Sequence, residues 1–170
     1  MLRIFNDLEP FFEYNYRRIS IREYARMKKI SPPSASTLLH EYNNEGLLER
    51  EEDKKYIYFE SKRENLVFVN LSRTYWWMRF KKVGLIEYLE KELVNPLIIL
   101  FGSFSKAEVA PNSDIDIAIF RSPSNNLNIN QFERKLKRDI QIVFFKDLEL
   151  DKRKELQNSV LNGFKIFGSW

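Results

Sequence analysis

The chain has 170 residues, 44% of them apolar and 15% aromatic, which is enough to bury the core of one ordinary domain or two small ones and too apolar for a disordered chain. It has no cysteine and a single histidine, so disulfides, thiolate metal sites and His-rich zinc sites are excluded, and any metal must sit on carboxylate oxygens, which suit magnesium or manganese. Lys and Arg outnumber Asp and Glu by 28 to 24, a net charge of +4 that is compatible with an anionic partner without requiring one.

Leu2, Phe5, Leu8, Phe11 and Phe12 recur at helical spacing, so a helix buried on one face is expected to open the chain. Charges interrupt the apolar residues of that stretch, and no window of about 18 apolar residues occurs anywhere, so a cytoplasmic chain with no membrane contact is expected. Ser20 is placed to cap a second helix, Ile21 to Lys28. Ser31-Pro32-Pro33 then supplies a cap followed by prolines at helix-start positions. The third helix carries Leu38, Leu39 and Tyr42 inward and stops at Gly46, suited to a left-handed C-terminal cap. Leu47 to Phe59 reads as two short strands around a polar turn, Glu51 to Lys55. Three helices followed by a small hairpin describe a winged helix.

Residues 62 to 94 read as a helical bridge, with Leu66, Val69, Arg73, Trp76, Trp77 and Phe80 near helical spacing and a break at Gly84. The character changes at Asn95-Pro96. Leu97 to Phe101 and Ile115 to Phe120 are continuous apolar runs of the kind that form buried strands. Ser122 to Asn130 reads as a loop, Gln131 to Lys137 as a helix, Ile140 to Phe145 as a third strand and Lys152 to Leu161 as a final helix, with Phe164 to Phe167 adding an edge strand.

The segment from Leu97 to Phe120 holds two chemical features. A strand ending in Gly102-Ser103 leaves backbone N–H groups and a hydroxyl where phosphate oxygens can approach closely. Ser113 then introduces Asp114-Ile115-Asp116, and strand alternation aims both carboxylates at one face while Ile115, Ile117 and Ile119 face the core. Two carboxylates on one face make a cation site.

Gly-Ser followed by Asp-x-Asp resembles the minimal nucleotidyltransferases of the DNA polymerase beta superfamily, over roughly residues 85 to 168. The resemblance implies that Gly102, Ser103 and Ser113 hold a triphosphate and that Asp114 and Asp116 ligate Mg2+ or Mn2+. Lys106 is near enough in sequence to touch a phosphate, although a solvated surface lysine is the commoner case. The resemblance implies in-line attack of an acceptor hydroxyl on the alpha phosphorus of a nucleoside triphosphate, ATP in first place, with pyrophosphate leaving. It also implies a third carboxylate from the strand after the Asp-x-Asp segment, here Arg138 to Phe145. Gln141 falls where that carboxylate is expected, and Asp139 lies two residues earlier on the same face as a substitute. Ala107 stands where the family commonly has Gly, which is tolerated if that turn keeps a negative φ. Arg134, Lys135, Lys137 and Arg138 form a basic run of the kind usually found on an exposed helix face. Lone residues such as Glu108 and His40 read as surface or structural.

Residues 14 to 60 resemble the winged helix-turn-helix of bacterial and archaeal regulators, in which Ser34, Ser36 and Thr37 would open a recognition helix and Arg22 and Arg26 would grip a DNA or RNA backbone. Against this, no Lys or Arg occurs from Ser31 to Glu49, and Glu51-Glu52-Asp53 is acidic.

The expected fold is α+β: a winged helix-turn-helix over 1–61, a helical linker over 62–94 and a small mixed-sheet nucleotidyltransferase domain over 95–170. The expected function is metal-dependent transfer of a nucleoside monophosphate to a protein or nucleic acid. The rival is a nucleotide-sensing regulator, or an antitoxin-like partner of a small helical toxin-like protein, with a weakened transferase. A homodimer is compatible with either.

Overall fold

The structure, a computed structural model, describes residues 2–123, 126–145 and 154–169. The chain divides into two compact units, one formed by Met1–Leu71 with Ala107–Pro111 and the other by Ser72–Lys106 with Asn112–Trp170. Among the described residues no helix is long and apolar enough to cross a membrane.

The first unit runs α1 (Arg3–Glu13), β1 (Ile19–Ser20), α2 (Ile21–Lys28), α3 (Pro32–Asn44), β2 (Leu48–Asp53) and β3 (Tyr56–Ser61), followed by the first turns of α4 (Leu66–Val83). Its strands form an antiparallel sheet in the order β1-β3-β2. The caps anticipated from the sequence form: the Ser20 hydroxyl accepts from the Glu23 N–H at 3.3 Å and the Ser31 hydroxyl from the Ser34 N–H at 3.2 Å. Phe11, Phe12, Ile19, Tyr24, Leu39, Phe59 and Phe68 build the core. Pro10 inside α1 cannot donate to the Asn6 carbonyl, and the Lys28 ammonium takes that acceptor instead.

Several local expectations shift. Helix α1 begins at Arg3, leaving Leu2 exposed, and Leu66 likewise points outward at the start of α4. The buried face of α3 is Ala35, Leu39 and Tyr42, with Leu38 only half-buried at its edge. Glu51 to Asp53 belong to β2, and the hairpin tip is the pair Lys54-Lys55, both at positive φ as a two-residue hairpin turn requires. The acidic strand is tolerated because Arg18 reaches Glu51 at 2.8 Å and Asp53 at 3.9 Å, while Arg50 pairs with Glu52 at 2.9 Å.

The second unit contains the rest of α4, then α5 (Leu85–Glu92), β4 (Leu97–Phe101), α6 (Gly102–Lys106), β5 (Ile115–Phe120), α7 (Asn130–Leu136), β6 (Ile140–Phe145), α8 (Lys154–Leu161) and β7 (Phe164–Phe167). The expected start of the final helix, Lys152, and residues 124–125 of the expected loop lie outside the described residues. The sheet order is β6-β5-β4-β7, with β5 and β6 parallel and the other pairs antiparallel. Strands β4 and β5 are central and buried on both faces, which is why they read as unbroken apolar runs. On one face Leu97, Ile99, Phe101, Ala118 and Phe120 pack with Phe145 and with Val160 of α8. Alternation puts Asp116 on that same face, at the end where the apolar cluster stops.

Candidate functional site

The site begins where β4 ends. Phe101 stands opposite Asp116 in the antiparallel register, and the next residue, Gly102, turns the chain into α6. Gly102 has φ +66, and a Cβ there would lie 2.2 Å from the Asp116 Oδ2. Both facts require glycine: the dihedral is left-handed, and the Asp116 carboxylate packs directly on the glycine backbone. The fold thus joins Gly102, Ser103 and the Asp-x-Asp strand, which the sequence separates by a dozen residues.

Asp114 immediately precedes β5 and Asp116 is the second residue of that strand, close enough for the charge of one to act on the other. Burial, and after it the negative charge of Asp114, raises the Asp116 carboxyl above the ordinary carboxylate range. Two such groups held side by side and partly out of water are costly unless a cation joins them, and an all-oxygen donor pair fits magnesium or manganese. On the parallel neighbour β6, Gln141 stands opposite Asp116, and its amide donates to the Asp114 Oδ2 at 2.6 Å. Asp139 is exposed just before β6 begins, and its carbonyl accepts from the Ile115 N–H at 2.8 Å. Among the described residues no group of three or more His, Cys, Asp or Glu side chains is gathered to hold a metal, so the donor set here is two carboxylates beside an amide.

Lys106 is exposed at the far end of α6, about 6 Å along the helix axis from Gly102. Ala107 has φ +56, so the condition that this turn keep a negative φ is not met. An alanine sits in the left-handed region where the resemblance has glycine, at a cost of about 1–2 kcal/mol. The basic run 134–138 splits: Arg134, Lys135 and Lys137 are exposed, but Arg138 is buried. Its Nη1 donates to the Ser113 carbonyl at 3.4 Å, and its guanidinium lies 5.8 Å from the centre of the Phe104 ring. On α4, Arg73 donates from Nε to the Ser105 carbonyl at 2.6 Å, and burial lowers its pKa. Neither arginine stands out in the sequence, since one sits in a basic run and the other on an ordinary helix.

In the first unit, Arg22 and Arg26 are exposed on α2 and, with Lys29, Ile30 and Pro32, line a cleft of about 600 Å³. Ser34 and Thr37 are exposed on α3 and Ser36 is half-buried. The Ser34 hydroxyl lies 2.8 Å from that of Ser31, and the Thr37 hydroxyl donates to the Pro33 carbonyl at 3.2 Å, so both already have partners at the start of the helix.

The family model described as polymerase beta, nucleotidyltransferase matches residues 84–169, just over half of the chain and the whole of the Gly-Ser and Asp-x-Asp site. No curated protein and no solved structure matches the chain.

Proposed function

The chain belongs to the polymerase beta nucleotidyltransferase family, and from that premise we propose that it transfers a nucleoside monophosphate, from ATP in first place, to a hydroxyl of a protein or nucleic acid. The observation that supports this reading is the Asp116 carboxylate packed on Gly102, because a backbone read as holding phosphate and a side chain read as holding the cation lie against each other. Asp114 and Asp116 would hold Mg2+ or Mn2+, which when bound neutralises developing charge on the phosphates. Gly102, Ser103 and Ser113 orient the triphosphate, and the glycine lets it approach the backbone. The acceptor oxygen forms its bond to the alpha phosphorus as the bond to pyrophosphate breaks, and the hydroxyl proton passes to water.

The first unit is read as a winged helix-turn-helix recognition module, supported by the element order α1-β1-α2-α3-β2-β3 and the sheet order β1-β3-β2. Arg18 and Arg50 pair with its acidic wing, which leaves the absence of Lys and Arg from Ser31 to Glu49 as the electrostatic objection to a nucleic acid. Arg22 and Arg26 would grip phosphates while Ser34, Ser36 and Thr37 face the groove.

Gln141 favours a second reading. A neutral amide opposite Asp116 supports one cation rather than two, unless Asp139 turns inward from its exposed position, and a one-cation site binds nucleotide better than it transfers it. The chain would then act as a nucleotide-sensing regulator or as the antitoxin-like partner of a small helical protein. The deciding experiment incubates the protein with each alpha-labelled nucleoside triphosphate, magnesium or manganese, and host RNA and protein. Label on a discrete acceptor, lost in Asp116→Asn, supports transfer. Metal-dependent binding without label supports the regulator, and equal labelling by Asp116→Asn refutes the site.

A further inference from the structure

Helix α6 has five residues, too few to be fixed by its own backbone hydrogen bonds, yet it begins with the Gly102-Ser103 pair. What holds it is side chains behind it. The Ser105 carbonyl near its C-terminal end accepts from Arg73 at 2.6 Å, and the Ser105 hydroxyl donates to the Gly102 carbonyl at 2.9 Å. The Phe104 ring meets Trp76 edge-on, with centroids 4.6 Å apart. Its ring also faces the guanidinium of Arg138, which reaches across to the Ser113 carbonyl, the residue before Asp114. Arg138 is only 7% exposed. A buried guanidinium is expensive to keep, and its planar fork can donate to a carbonyl while its flat group lies against an aromatic ring, a shape an ammonium does not reproduce.

Resting on the reading of Gly102, Ser103, Asp114 and Asp116 as a nucleotide and metal site, we propose that Arg73 and Arg138 are positioning residues that brace α6 and the Asp114 turn in register. Arg73 sets the end of α6 and so the placement of Gly102 and Ser103. Arg138 ties α6 to the entrance of β5 and so sets Asp114 relative to the phosphates. Both act through neighbouring groups and touch no substrate.

The test measures binding of Mn2+ with ATP by titration calorimetry, together with thermal stability, in Arg73→Met, Arg73→Lys, Arg138→Met and Arg138→Lys. Val160→Ala, a cavity variant in the apolar cluster under α8, serves as a control for destabilisation alone. Both Met variants should bind at least about tenfold more weakly, the scale for groups that orient metal ligands, whereas Val160→Ala keeps wild-type affinity at a lowered melting temperature. Arg73→Lys should regain most of the affinity, because one ammonium N–H can reach the Ser105 carbonyl. Arg138→Lys should regain little, because an ammonium lacks the forked donors and flat face of the guanidinium. Wild-type affinity in Arg73→Met or in a folded Arg138 variant overturns the proposal, and if Arg138→Met does not fold, Arg138→Lys decides. Wild-type protein that binds no Mn2+ with ATP sinks the nucleotide reading itself and the brace with it, a failure visible before any variant is made.

Discussion

Replacing Gly102 with alanine separates the two requirements that meet at this position. The left-handed dihedral, φ +66, costs a non-glycine residue about 1–2 kcal/mol, or roughly 2–8 °C in melting temperature for a chain of this size. The added Cβ would also lie 2.2 Å from the Asp116 Oδ2, so the carboxylate has to withdraw by more than about 1 Å to reach ordinary contact. Misplacing a group by that much can cost about 100-fold in rate, and the metal-dependent affinity for nucleotide should fall with it. Gly84 provides the internal comparison: it has φ +83 and nothing within 4 Å of its would-be Cβ. Gly84→Ala should therefore lose similar stability and keep nucleotide binding. Thermal melts and calorimetric titration of Mn2+ with ATP on both variants make the measurement. If Gly102→Ala melts lower but binds nucleotide as tightly as Gly84→Ala, the packing of Asp116 on Gly102 has no bearing on the site.

Two further outcomes follow from the carboxylates. Gln141→Asp should raise label transfer by about tenfold or more if a missing third carboxylate limits the reaction; it should also lower the melting temperature without metal, by placing a third charge beside Asp114 and Asp116, and magnesium should restore it. An unchanged transfer rate with restored stability would show that the amide was not the limit. For Asp116 the raised pKa means that the folded state holds more protons than the unfolded one between the two pKa values. Its contribution to stability is complete below the unfolded value, near about 3.9, and is lost as pH rises through the folded value. Without metal, Asp116→Asn should therefore melt above wild type at neutral pH, by a margin that shrinks as pH falls towards the carboxylate range. Magnesium should raise the melting temperature of wild type alone. A variant that melts below wild type in chelator at neutral pH contradicts this sign.

Local signals in the chain determined most of the elements. Ser20 and Ser31 cap helices because a hydroxyl one residue before the first turn satisfies an orphan N–H wherever it occurs, and the runs Leu97–Phe101 and Ile115–Phe120 became central strands because a segment covered on both faces needs apolar residues at every position. Gly102, Ser103, Asp114 and Asp116 stand out in the sequence as a Gly-Ser pair and an Asp-x-Asp beside apolar runs, and their roles are what the family resemblance implies. Tertiary structure alone decided the rest. That Ala107 takes a positive φ, and that Lys54-Lys55 rather than the acidic residues before them form the hairpin tip, depend on which strands pair and where they stop. Most of all, the roles of Arg73 and Arg138 exist only through partners far along the chain, Ser105 for one, Phe104 and Ser113 for the other. Residue type and neighbours in sequence say that an arginine is charged; only the fold says whether water or a carbonyl next to the site accepts its hydrogen bonds.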